Sequence, residues 1–112
     1  MTSTIQDFFK AENLRASPLP ALGAGAATVS GFSAGGFMSS QVHVAYSGTF
    51  EGAGVLAGGP YWCTHGTLTY LASCTILDNS INMRDIYRQV SKAERARTID
   101  KVRNLTGDKV WL

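Results

Sequence analysis

The spacing of apolar residues changes character along this chain, and each change predicts an element. Ala26-Ala27-Thr28-Val29-Ser30 is a short apolar run with β-branched members, which predicts a strand. From Phe37 to Tyr46 the apolar and large residues Phe37, Met38, Gln41 and Val44 recur at helical spacing, which predicts a helix with that face on a sheet. A turn follows at Tyr46-Ser47-Gly48. Gly52 to Ala57 is nearly all apolar with no polar alternation, the pattern of a parallel strand covered on both faces. Strand, helix and strand in that order predict a right-handed parallel crossover and an α/β fold.

The remaining segments read less sharply. Ile5 to Leu14 is a short amphipathic piece, broken at Ser17-Pro18-Leu19-Pro20, where two prolines exclude a continuous helix. Gly58-Gly59-Pro60 ends the second strand at its C-terminal end, where open α/β sheets place their sites. Tyr61, Trp62 and His65 follow, so this loop is a candidate cleft wall; an aromatic loop that only packs is the other reading. Residues 64–82 show no firm period and are expected to form a loop-rich insertion. Ile86, Val90 and Ala93 share a stripe that predicts a helix over Met83 to Arg97, with Asn79 or Ser80 as its cap. Gly107-Asp108 predicts a turn into a third strand, Lys109 to Leu112.

Composition narrows the class. A chain of 112 residues with 45% hydrophobic and 16% charged residues has enough apolar material for one small domain. Residues 1–18 read as an N-terminal extension and 19–112 as the folded domain. The net charge of +2 is too small to point to nucleic acid. The bases also alternate with acids in Lys92-Ala93-Glu94-Arg95 and Asp100-Lys101-Val102-Arg103, as on a solvated face. No stretch is long and apolar enough to span a membrane. Met1 to Arg15 holds Asp7, Lys10, Glu12 and Arg15, which leaves no apolar centre for a secretory signal. Cys63 and Cys74 with His65 make too few ligands for a zinc site, and no metal or cofactor is expected. A disulfide worth about 2–4 kcal/mol and two buried thiols both remain open for the cysteine pair.

The sharpest chemical signal is Gly31-Phe32-Ser33-Ala34-Gly35, the G-x-S-x-G of a serine-hydrolase nucleophile elbow, set between a predicted strand and a predicted helix. In that reading Ser33 projects its hydroxyl from a strained hinge. One of Gly31 and Gly35 lets the chain turn, and the other leaves room where helix crosses strand; Gly36 relaxes the crowding further.

Together with Val29-Ser30 and Gly36-Phe37-Met38 on either side of that motif, His43-Val44-Ala45-Tyr46-Ser47 and Ala57-Gly58-Gly59-Pro60-Tyr61-Trp62-Cys63, the chain resembles the secreted poly(3-hydroxybutyrate) depolymerases from about Leu19 to Leu112. The resemblance implies an α/β-hydrolase-like parallel sheet with flanking helices and serine esterase chemistry on a polyester or small ester. It makes Ser33 the nucleophile and the Ala34 N–H part of an oxyanion hole. It pairs Cys63 with Cys74, and it implies an extracellular setting. It also places a catalytic aspartate just after a strand like Lys109 to Leu112, and a histidine later still. Neither stands in this sequence, so the resemblance implies a truncated, N-terminal part of the domain, with the rest supplied in cis or from elsewhere.

Substitutes within the chain are weaker. His43 lies ten residues past Ser33, about 15 Å along a helix, and reads as a surface or sheet-packing histidine. His65 is better placed as a base, beyond the end of the neighbouring strand. Asp78, Asp100 and Asp108 read as solvated turn or capping residues. Two other functions compete with the esterase: a non-catalytic binding module that keeps the elbow as a structural turn, and a two-cysteine redox protein, whose spacing is not C-x-x-C.

Overall fold

Among the described residues, three parallel strands carry the fold, in the spatial order of the chain. In the computed structural model, which describes residues 18, 20–75 and 81–112, β1 is Ala27–Phe32, β2 is Phe50–Leu56 and β3 is Lys109–Trp111. Strand β2 lies between the other two and is parallel to both. Its inner position is the reason its residues need no polar alternation: Gly52, Ala53 and Val55 are buried. Its other side is only partly covered, since Gly54 is half-buried and Leu56 exposed. The reading of β2 as a strand covered on both faces therefore holds for part of its length.

Helix α1, Ala34–Ala45, begins directly after β1 and packs on β1 and β2. It starts three residues earlier than the apolar spacing predicts, because Ala34, Gly35 and Gly36 carry no side chain large enough to mark a face. The buried stripe is also not the predicted one. Gly36, Ser39 and His43 are buried, whereas Met38 is exposed and Phe37, Gln41 and Val44 are half-buried. Small and polar residues let the helix approach the sheet closely; Ser39 satisfies its hydroxyl by donating to the Gly35 carbonyl at 2.8 Å.

Helix α2, Leu71–Thr75, follows a 3-10 turn at Leu68–Tyr70, so the segment expected to be loop contains short helical pieces. Helix α3, Met83–Arg95, turns Ile86 inward. The predicted caps Asn79 and Ser80 lie outside the described residues, as do Asp78 and the Ile5–Leu14 piece. The N-cap is Asn82, whose Oδ1 accepts from the N–H groups of Arg84 at 3.1 Å and Asp85 at 3.4 Å. Asp85 in the first turn and Lys92 and Arg95 in the last complement the helix dipole.

Among the described residues the buried apolar set is small: Ala53, Val55, Cys63 and Ile86. Burying Val55 or Ile86 stabilises by about 1.5–3 kcal/mol each. The Cys63–Cys74 disulfide, with Cα atoms 5.9 Å apart, contributes about 2–4 kcal/mol and so matters as much as a large core side chain.

A second set of ties closes the chain around the end of α1. Asp100 N–H donates to the Ala45 carbonyl, Gly48 N–H donates to Asp100 Oδ2 at 3.0 Å, and Ser47 Oγ donates to the Lys101 carbonyl at 3.1 Å. Asp100 thus caps the turn after α1, as expected. Asp108 departs from expectation, whereas His43 takes the packing one of its two readings. His43 Nε2 lies 2.8 Å from Asp108 Oδ2, with both side chains under 10% exposed (7% and 8%). Neither is a solvated surface residue, because pairing lets each satisfy the other away from water.

Candidate active site

Ser33 occupies the junction between β1 and α1. Its backbone has φ 55° and ψ −116°, outside the regions open to ordinary L-residues. The surroundings hold that conformation in place. Ser33 N–H donates to the Leu56 carbonyl of β2 at 2.8 Å, and the Ser33 carbonyl accepts from Phe37 N–H at 3.0 Å as the first bond of α1. The side chain is exposed, and Ser33 makes no capping hydrogen bond with it.

The glycines divide their work differently from the sequence reading. A Cβ at Gly31 would overlap the backbone of Gly35, so Gly31 supplies the room at the crossing. The sharp turn is made by Ser33 itself. A Cβ at Gly35 would meet nothing within 4 Å, whereas one at Gly36 would stand 2.5 Å from the Leu56 carbonyl oxygen. Gly36, then, is the helix residue that must lack a side chain. With Gly31 and Gly36 bare, the first turn of α1 comes down onto the ends of β1 and β2. Ala34, Gly35 and Gly36 begin the helix, where N–H groups have no acceptor within it, so the N–H beside Ser33 is available to an anion.

Backbone strain concentrates along this edge. Ala57, which follows β2 as Ser33 follows β1, has φ 49°; Trp62 has φ 60° and His65 φ 51°. Phe32 pairs with Leu56 in the parallel register, so Ser33 and Ala57 stand next to each other at the C-terminal ends of their strands. Of the non-glycine residues with positive φ among those described, only Arg97 lies outside these two strand ends and the loop that follows β2. Residues held in such conformations cost of order 1–3 kcal/mol each and gather at functional sites.

The loop after β2 runs along α1. Trp62 N–H donates to Gln41 Oε1 at 3.2 Å, and Cys63 N–H donates to the Pro60 carbonyl. Gln41 lies about 12 Å further along the helix than Ser33. The loop aromatics are thus anchored beside the middle of α1. Tyr61 and Trp62 rings lie 6.3 Å apart, and burial raises the Tyr61 phenol above its ordinary pKa. His65 packs its ring 4.6 Å from Tyr70 and borders a hollow of about 320 Å3 with Cys63, Ser73, Asn82 and Asp85.

No hydrogen bond joins the hydroxyl of Ser33 to a histidine or carboxylate among the described residues; His43 is committed to Asp108. Nor do three or more His, Cys, Asp or Glu side chains gather there as a metal site would need. No described helix is long and apolar enough to cross a membrane.

Over 87 residues the chain is 42% identical to a poly(3-hydroxybutyrate) depolymerase of Delftia acidovorans, covering 76% of this chain and 18% of that protein. The chain is a partial match to the poly(3-hydroxybutyrate) depolymerase family. A second member of that family, the polyhydroxybutyrate depolymerase of Talaromyces funiculosus, is 45% identical over 67 residues, covering 57% of this chain and 19% of its own length. The chain therefore spans under a fifth of the length of these two depolymerases. No family model and no solved structure matches it.

Proposed function

We propose that this chain carries the nucleophile portion of a serine esterase that acts on polyesters such as poly(3-hydroxybutyrate), or on small esters. The observation that carries the reading is the conformation of Ser33, strained and exposed between the C-terminal end of a parallel strand and the first turn of a helix. A nucleophile elbow has that arrangement because it must lift a hydroxyl clear of its own backbone. The names of the two depolymerase relatives support the substrate class, and the disulfide fits an extracellular, oxidising setting.

In this reading Ser33 Oγ adds to the ester carbonyl while its proton passes to a general base, and the carbonyl oxygen becomes an oxyanion facing the Ala34 N–H. Collapse of the tetrahedral intermediate expels the alcohol, which takes up the proton, and leaves an acyl-serine that water hydrolyses. No described histidine is hydrogen-bonded to Ser33, and in this reading the base and its orienting carboxylate are not supplied by the described residues. The chain alone then has a serine that stays protonated near neutral pH and reacts poorly.

The test is a chimera in which the matched 87-residue stretch of this chain replaces its counterpart in the Delftia relative. Hydrolysis of p-nitrophenyl butyrate should be close to background for the 112-residue chain and substantial for the chimera. Ser33→Ala in the chimera should reduce turnover by about 10⁴- to 10⁶-fold. A chimera that folds and hydrolyses the ester equally well with Ser33→Ala refutes the assignment and favours a binding module that keeps the turn for structural reasons.

A further inference from the structure

Tyr61 and Trp62 face α3 across a groove of about 340 Å3, closed on the helix side by Gln89, Lys92, Ala93 and Ala96. The volume is on the order of ten waters, room for a short aliphatic chain and too little for a folded partner. The walls are set before any ligand arrives. Trp62 is tied to Gln41 through its N–H and held at φ 60°, and the next residue, Cys63, is cross-linked to α2. A strained aromatic residue fixed on both sides is costly unless its placement serves something. Opposite the rings, Ala93 and Ala96 are small and leave space between the walls, and Thr98 completes the lining among the described residues.

The charge at the rim is one-sided. Lys92 borders this groove and also the neighbouring hollow, where Arg88 and Arg95 stand with it. Arg88 is paired with Asp85 at 2.9 Å, and no ion pair forms between Lys92 and another described residue. Glu94, the acid nearest in sequence, is turned away and accepts from Val102 N–H at 2.9 Å. An apolar slot with aromatic walls, and at its mouth an ammonium that pairs with no described carboxylate, suits a molecule with an aliphatic body and one terminal carboxylate. Gln89 adds an amide that can donate to an ester carbonyl or a hydroxyl along the body.

We infer that this groove, along α1 from Ser33, binds the free carboxylate end of a short hydroxyalkanoate, with the chain against Tyr61 and Trp62 and the carboxylate at Lys92. The choice of a hydroxyalkanoate over another aliphatic acid rests on the proposed esterase reading; the groove's preference for an aliphatic carboxylate does not. A polymer end or a released oligomer would be held there without occupying Ser33.

The chain has two tryptophans, so Trp111→Phe leaves Trp62 as the sole tryptophan, excited on the red edge where the tyrosines do not absorb. Fluorescence of that variant is titrated with the linear dimer of 3-hydroxybutyric acid, its methyl ester and hexanoate, all on a Ser33→Ala background that prevents turnover. The acid dimer and hexanoate should give saturable quenching, with the methyl ester about three- to fivefold weaker than the acid, the size of an exposed ion pair. Lys92→Gln should bring the acid down to the level of the ester, and 0.5 M salt should do the same in the parent. Absence of saturable quenching, or equal binding of acid and ester that Lys92→Gln leaves unchanged, overturns the proposal. Because no ester is cleaved in these titrations, binding that persists while the chimera shows no Ser33-dependent hydrolysis defeats the esterase reading alone. Hydrolysis without binding defeats this one.

Discussion

Removing His43 and removing Asp108 should not cost the same, although they form one hydrogen bond of 2.8 Å. His43→Ala strands a carboxylate whose side chain is 8% exposed. A buried carboxylate left without its partner typically costs about 3–5 kcal/mol, because it has lost both its hydrogen bond and its water. Asp108→Ala leaves an imidazole that can stay neutral, with one nitrogen unsatisfied, at a cost of about 1–3 kcal/mol. Against the 5–15 kcal/mol typical of a whole domain, the first loss removes much of the stability of so small a core. Urea denaturation of each variant and of the double variant, followed by far-UV circular dichroism, supplies all three differences. The double variant should be more stable than His43→Ala alone, since it removes the orphaned carboxylate. If both single variants fall within about 0.5 kcal/mol of the parent, the range of an ordinary surface change, the pair contributes nothing and the argument from burial fails.

Two further outcomes follow from the same geometry. Gly36→Ala should lower stability by about 1–3 kcal/mol, because its Cβ would press on the Leu56 backbone; Gly35→Ala should be neutral or stabilising by up to about 1 kcal/mol, since alanine suits a helix and nothing stands in its way. Equal urea midpoints for the two variants would refute that division. In an absorbance titration of the four tyrosines, Tyr61 should ionise above the ordinary value of 10.0, as burial disfavours its phenolate. The folded state then holds that proton more tightly than the unfolded one, so its contribution to stability is complete below pH 10 and declines as pH rises through the folded pKa. Tyr61→Phe should flatten this decline, and a decline of unchanged slope would count against the assignment.

The sequence made the strands and the serine junction legible because both depend on local chemistry. An apolar run without alternation reads as an inner parallel strand, and glycines around a serine at a strand-to-helix boundary read as a tight crossing. What stayed hidden depends on residues far apart in the chain. The buried face of α1 is made of Gly36, Ser39 and His43, none of which a hydrophobic count detects. His43 finds Asp108 only because the β2–β3 pairing brings the turn before β3 back to the helix. The role of Asn82 was obscured by other capping residues just ahead of it, although an asparagine immediately before Met83 was a sufficient signal. Gly35 and Gly36 are adjacent and chemically identical, and only their facing in three dimensions separates the one that must be glycine from the one that need not be.

The late arrival of β3 has a kinetic consequence. Strands β1 and β2 join through a helix that follows one directly and precedes the other by a single turn, so this unit can assemble from contacts close in sequence. Strand β3 reaches β2 only after α2 and α3, and loop closure of that length slows assembly. The bond between His43 and Asp108, 65 residues apart, and the ties from Ser47 and Gly48 then act as the clasp that fastens the last strand. Amide protons of β2 that face β1 should exchange with solvent more slowly than those paired with β3, because the clasp can open while the first unit stays folded. The segment holding Ser33 thus belongs to the part of the molecule that forms first and opens last.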